Sequence, residues 1–93
     1  MDKEQTALLA QKAVQGDVSA FNELYLLTRN RAWFVVLSIT KNEDDAMDIL
    51  QDAYLKAWQK RESLRQPEKF VSWFNQVTAN TARDFLRSRK PLL

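Results

Sequence analysis

The chain has 93 residues, of which 45% are hydrophobic and 28% charged, with one glycine and two prolines; this fits one compact domain and excludes collagen-like, linker-like and disordered classes. It has no cysteine and no histidine, which removes disulfides, thiolate nucleophiles, Cys/His zinc sites and the usual general base near neutral pH, so neither an enzyme nor a cofactor is expected. The net charge of +2 is unevenly spread, with seven basic against three acidic residues in 61–93 and three against five in 41–60, so the C-terminal third is the end suited to a polyanion.

The longest apolar run, residues 32–37, falls far short of the roughly 20 residues that a membrane span needs. Met1-Asp2-Lys3-Glu4 carries no signal-peptide pattern, so a soluble, cytoplasmic protein is expected. The spacing then predicts four helices. The first covers residues 3–15, with Leu8, Leu9, Lys12 and Ala13 in an i, i+4 repeat and Gly16 at the left-handed position after its end. Asp17 or Ser19 caps the second, residues 19–39, in which Phe21, Leu24, Tyr25, Thr28, Ala32, Val35, Val36 and Ile39 share one arc. Trp33, Phe34 and Leu37 lie outside that arc, which marks this helix as central. Asn42 followed by Glu43-Asp44-Asp45 starts the third, a capping side chain and then carboxylates beside the positive end of the helix dipole. Its periodicity runs to about residue 64. Pro67 opens the fourth, residues 68–90, and Pro91 stops it.

Two helix faces are left over once the core is assigned. On the third helix Ala46, Ile49, Leu50, Ala53, Ala57 and Leu64 share the packing arc, while Met47, Gln51, Tyr54, Leu55 and Trp58 form a second, semi-apolar stripe flanked by Asp48 and Asp52. Tyr54 and Trp58 suit a neighbouring helix equally well; Met47, Gln51 and Leu55 suit a partner surface. On the fourth helix Phe70, Phe74, Val77, Thr81 and Phe85 make the core stripe. Beside it Trp73, Gln76, Asn80, Arg83, Arg87 and Lys90 step by 3, 4, 3, 4 and 3 along one shoulder. Such a row offers amides for base edges, cations for phosphates and an indole for stacking, or else a polar solvated face.

Several segments carry a resemblance in their order and spacing. These are Gly16-Asp17 with Ala20-Phe21 and Leu24-Tyr25, then Asp45-Ala46-Met47-Asp48-Ile49-Leu50-Gln51-Asp52 leading to Leu55, Ala57 and Trp58, and finally Phe70, Trp73-Phe74, Asn80, Asp84 and Arg87. Together they resemble region 2, the promoter-binding domain, of bacterial RNA polymerase sigma factors of the small extracytoplasmic-function type. The resemblance implies an all-α domain, a bundle of about four helices over residues 1–93. It implies that the segment from Met47 to Leu55, with Asp48, Gln51 and Asp52 at matched positions, docks on a coiled coil of the polymerase β′ subunit. It further implies that the fourth helix and the loop before it, with Arg61, Ser63, Arg65, Gln66 and Lys69, face the promoter −10 element, where one strand opens and a base is flipped into a pocket. An anti-sigma factor is a further implied partner.

The chain departs from the family pattern in three places. Thr40-Lys41-Asn42 stands where a glycine is common, and Asn75-Gln76 and Thr78-Ala79 stand where basic residues are frequent. No counterpart of the family's second DNA-binding domain, a helix-turn-helix, is found up to Leu93. The rival expectation is a helical interaction module that never meets DNA, an anti-sigma-like decoy.

Overall fold

A computed structural model describes residues 3–88. It contains helices α1 (Lys3–Val14), α2 (Val18–Thr40), α3 (Glu43–Gln59) and α4 (Phe70–Ser88), with two short 3-10 turns, Arg61–Ser63 and Pro67–Lys69, between α3 and α4. No strand occurs among the described residues, as the all-α expectation requires.

The helix ends follow local chemistry. Gly16 takes φ +107°, and its amide and that of Asp17 donate to Ala13 O and Lys12 O at 2.9 and 3.0 Å, closing α1 in a Schellman motif. Asp17 then caps α2, its Oδ1 accepting from the Ala20 amide at 3.1 Å. Lys41 ends α2 in the left-handed region at φ 57°, donating its amide to Leu37 O, and Asn42 caps α3 by accepting from the Asp45 amide at 3.0 Å. The glycine missing before the acidic run is therefore replaced by a lysine in a conformation that L-residues resist.

α2 is the central helix and packs on α1, α3 and α4. Phe21, Leu24, Thr28, Ala32 and Val36 are buried along it, with Tyr25, Val35 and Ile39 half-buried. Of the three apolar residues outside that arc, Trp33 and Leu37 are half-buried and Phe34 is 70% exposed. Alanines at the crossings, among them Ala10, Ala13, Ala46, Ala53, Ala57 and Ala82, let the helix axes approach closely. The buried hydroxyls of Thr28, Thr78 and Thr81 donate to carbonyls four residues back at 2.7–2.8 Å, so they sit in the core without an unpaired donor.

Three details differ from the periodicity. On α1 the fully buried residues are Thr6, Ala10 and Ala13, with Leu9 and Val14 half-buried against the core, while Leu8 is 60% exposed; with small residues at its buried centre, α1 lies close against its neighbours. α3 ends at Gln59, not near residue 64. Leu64 is buried all the same, because the first 3-10 turn folds it back onto the core, so a buried residue on the helical arc comes from the loop. On α4 the inward set is rotated slightly: Phe70, Phe74, Thr78, Thr81 and Ala82 are buried, and Val77 and Phe85 are half-buried. Pro67 opens a 3-10 turn that leads into α4. Lys90 and Pro91 lie outside the described residues.

Lys41 gives a direct test of this local reading. A left-handed non-glycine residue costs about 1–2 kcal/mol, part of which glycine would give back as unfolded-state entropy. Lys41→Gly should therefore stabilise the domain by about 0.5–1 kcal/mol and raise Tm by several degrees, measured by thermal unfolding; a lower Tm contradicts the assignment.

Candidate functional site

The second stripe of α3 divides in two. Tyr54 and Trp58 turn inward and meet the Phe21 ring at centroid distances of 5.1 and 5.3 Å. Met47, Asp48, Gln51, Asp52 and Leu55 stay exposed, Met47 and Leu55 at 60% and 56%. The sequence missed the other wall of this surface, which α2 supplies. Asn22, Tyr25 and Leu26 line a groove with Gln51, Tyr54 and Leu55, and Leu26 is 58% exposed. An adjoining depression is lined by Tyr25, Arg29, Asn30, Trp33, Met47, Leu50 and Gln51. Leu26 lies off the core arc of α2, which is the signal that could have found it.

The groove floor is held by two tyrosines. Tyr54 donates its hydroxyl to Asn22 Oδ1, and the Tyr25 and Tyr54 rings meet edge to face at 4.8 Å. Burial pushes the Tyr25 phenol up from its ordinary value against the opposing pull of Arg29, with Tyr54 adding slightly to the rise; it is therefore a neutral hydrogen-bonding group throughout the physiological range. Asp52 forms an i, i+4 ion pair with Lys56 at 3.4 Å, exposed enough to contribute little stability.

The second site lies between α3 and α4. Ser63, Leu64, Arg65, Gln66, Lys69, Ser72, Trp73 and Gln76 line one cavity of about 440 Å³. Six of the residues expected from the sequence are thereby brought together, with Leu64 as a buried wall and Ser72 as an unforeseen rim residue. The cavity is tied shut at one corner. Trp73 Nε1–H donates to Ser63 Oγ at 3.1 Å, and Ser63 Oγ–H donates to Lys60 O at 2.7 Å, linking α4 to the end of α3.

Arg61 is not among the lining residues. Its guanidinium lies 4.1 Å over the Trp58 ring and donates to Trp58 O at 3.0 Å, so it closes the C-terminal end of α3 by a cation–π contact and a hydrogen bond to a last-turn carbonyl. Asn80, Arg83 and Arg87 stand exposed further along α4. Arg83 donates to Asn80 Oδ1 at 3.3 Å, leaving the Asn80 amide hydrogens outward, and Arg87 pairs with Asp84 at 3.3 Å. Lys90 lies outside the described residues. No helix among the described residues is long and apolar enough to cross a membrane.

The structure is a small helical bundle with an apolar groove on one helix pair and a cation-rimmed, aromatic-walled cavity at another. Comparison with known proteins specifies the class. Residues 24–91 match the family model described as Sigma-70 region 2, and the chain belongs to that family. It is 37% identical over 78 residues to the probable RNA polymerase sigma factor RfaY of Xanthomonas campestris pv. campestris, covering 84% of this chain and 20% of that protein. It is 43% identical over 58 residues to RNA polymerase sigma factor SigV of Bacillus subtilis, covering 62% and 35%. It is 31% identical over 86 residues to the ECF RNA polymerase sigma-E factor of Haemophilus influenzae, covering 89% and 44%. The chain thus spans less than half the length of each of these relatives.

The Trp73–Ser63 hydrogen bond is testable without any ligand. In a double-mutant cycle, Trp73→Phe and Ser63→Ala should each cost about 0.5–1.5 kcal/mol, and the double variant should cost clearly less than their sum. Strictly additive losses in chemical denaturation mean that the bond contributes nothing.

Proposed function

We propose that this domain acts in transcription initiation, docking on RNA polymerase through the α2–α3 groove and capturing the opened promoter −10 element with the α3–α4 loop and α4. The observation that carries the reading is the convergence of Ser63, Arg65, Gln66, Lys69, Trp73 and Gln76 around one cavity, next to the exposed polar row of Asn80, Arg83 and Arg87. The cavity has what a flipped base needs. Gln66, Gln76 and Ser63 offer hydrogen bonds to a base edge, Trp73 offers an aromatic wall, and Arg65 and Lys69 attract the backbone. Such contacts return the few kcal/mol that unstacking costs. No bond is made or broken in this role.

The polymerase surface rests on an independent feature, the exposed Met47, Leu55 and Leu26 around Gln51, with Asp48 and Asp52 at the edge. The apolar residues anchor a partner helix and the carboxylates select a basic one. The partner proposed is the coiled coil of the β′ subunit. An anti-sigma factor would act by covering one of these two surfaces, and work on promoter DNA places the domain in the cytoplasm. The decoy reading is not favoured, because the relatives named above are sigma factors.

Two measurements test the proposal. Gln51→Ala and Leu55→Asp alter exposed side chains, so each should weaken binding to the β′ coiled coil by about 1–3 kcal/mol with an unchanged Tm; parent-like binding by both variants rejects this face. For the DNA site, fluorescence binding to a panel of −10 oligonucleotides should find the non-template single strand bound in preference to duplex. Trp73→Ala should weaken the single-strand complex by about 1–3 kcal/mol and the duplex less, with Tm measured alongside because Trp73 also packs on Phe70. Equal binding of both DNA forms by a variant that melts like the parent refutes strand capture at this cavity.

A further inference from the structure

Another cavity lies beside the base pocket, bounded in part by α1 and α2, which the sequence reading left out of DNA binding. Its volume is about 540 Å³, and it is lined by Lys3 and Thr6 of α1, Arg31 of α2, Glu68 and Lys69 of the second 3-10 turn, and Val71 and Ser72 of α4. It is more enclosed than the base pocket. Lys3, Arg31 and Lys69 place three cations on it against one carboxylate, Glu68. None of the three cations takes part in an ion pair among the described residues. Like charges in excess around one cavity raise each other's energy and lower that of an incoming anion. An arginine fork beside two ammonium groups suits a phosphate.

Lys69 and Ser72 line both cavities. The two cavities thus share a wall, so a strand whose base entered the first could run along the second. We infer that the α1–α2–α4 cavity holds a backbone phosphate of the same DNA strand whose base enters the loop pocket, with Lys3 and Arg31 as its phosphate contacts. This inference rests on the promoter reading above and extends it to α1, which packs against the second 3-10 turn and so delivers Lys3 to the strand.

The test uses the whole chain and a labelled −10 non-template single strand, titrated from low to moderate salt. Losing the one phosphate that both side chains neutralise makes the slope of log K against log salt shallower by about 0.7 for a single strand. The double variant Lys3→Gln/Arg31→Gln should show that change, with roughly tenfold weaker binding at low salt and an unaltered base preference. Glu68→Gln, which removes the only carboxylate among the described lining residues, should tighten binding about two- to threefold. A double variant with the parent's affinity and slope overturns the inference and leaves the promoter reading standing, whereas a parent chain that binds no single strand sinks that reading itself. Pyrophosphate titrated into the parent without DNA separates the sources: binding that the double variant loses while keeping its DNA affinity assigns the cavity to a free phosphate compound and overturns the strand assignment. Should the double variant melt below the parent, Glu68→Gln decides, tightening in favour and unchanged affinity against.

Discussion

The Phe21 ring is where three helices meet, and both surfaces depend on it. Carried by α2, it touches Tyr54 and Trp58 of α3 and, edge to face at 6.2 Å, Phe70 of α4. Emptying such a site costs about 3–5 kcal/mol in a core, a large share of the 5–15 kcal/mol that typically holds a domain together. The contacts also set orientation. With Tyr54 and Trp58 committed to Phe21, α3 is fixed about its axis, and Met47, Gln51 and Leu55 point outward. With Phe70 fixed beneath it, α4 begins where Trp73, one turn later, reaches Ser63. One buried aromatic ring therefore positions the groove and the loop cavity together.

The end of α3 joins the two surfaces mechanically. The same helix that carries Gln51 and Leu55 ends at Gln59 and is capped by Lys60, whose carbonyl accepts from Ser63, while Arg61 folds back over Trp58. Ser63 in turn accepts from Trp73. These contacts tie the loop directly to the end of α3. Were α3 to continue to residue 64, Ser63 would lie on a helix surface and the cavity would not exist. The early end of the helix is what makes the loop a site.

Much of this was legible in the sequence because the punctuation is unambiguous. Gly16-Asp17, Asn42 with its acidic turn, and Pro67 mark helix limits by backbone chemistry that tertiary packing does not override. The division of the α3 stripe was legible in kind, since Tyr54 and Trp58 carry enough apolar area to be drawn inward and Gln51 does not. What stayed hidden depends on contacts between elements. Leu64 falls on the helical arc but is buried by a loop, and periodicity cannot distinguish the two. Arg61 has the charge of a DNA contact, but Trp58 three residues back gives it a local partner. Leu26, Lys3 and Arg31 acquire meaning only when α1 and α2 lie beside α3 and α4.

The same distinction explains the departures at Asn75 and Thr78, though not the one at the exposed Gln76. Cationic side chains are expected there from the family pattern, yet Thr78 is fully buried with its hydroxyl bonded to Phe74 O, and Asn75 is half-buried with its Oδ1 closed off from solvent. A lysine or arginine at residue 78 would have to bury an unpaired charge in a core crossing lined by small residues, at a cost well above what one phosphate contact returns. In this chain the inner side of α4 is therefore closed to charge, and the cations around the two cavities come from elsewhere: Arg65 and Lys69 on the loop pocket, and Lys3 and Arg31 with Lys69 on the cavity beside it. The bundle keeps α4 close-packed on α2 and places its positive charge on neighbouring elements, which is why the sequence of α4 alone understates the charge a DNA strand would meet.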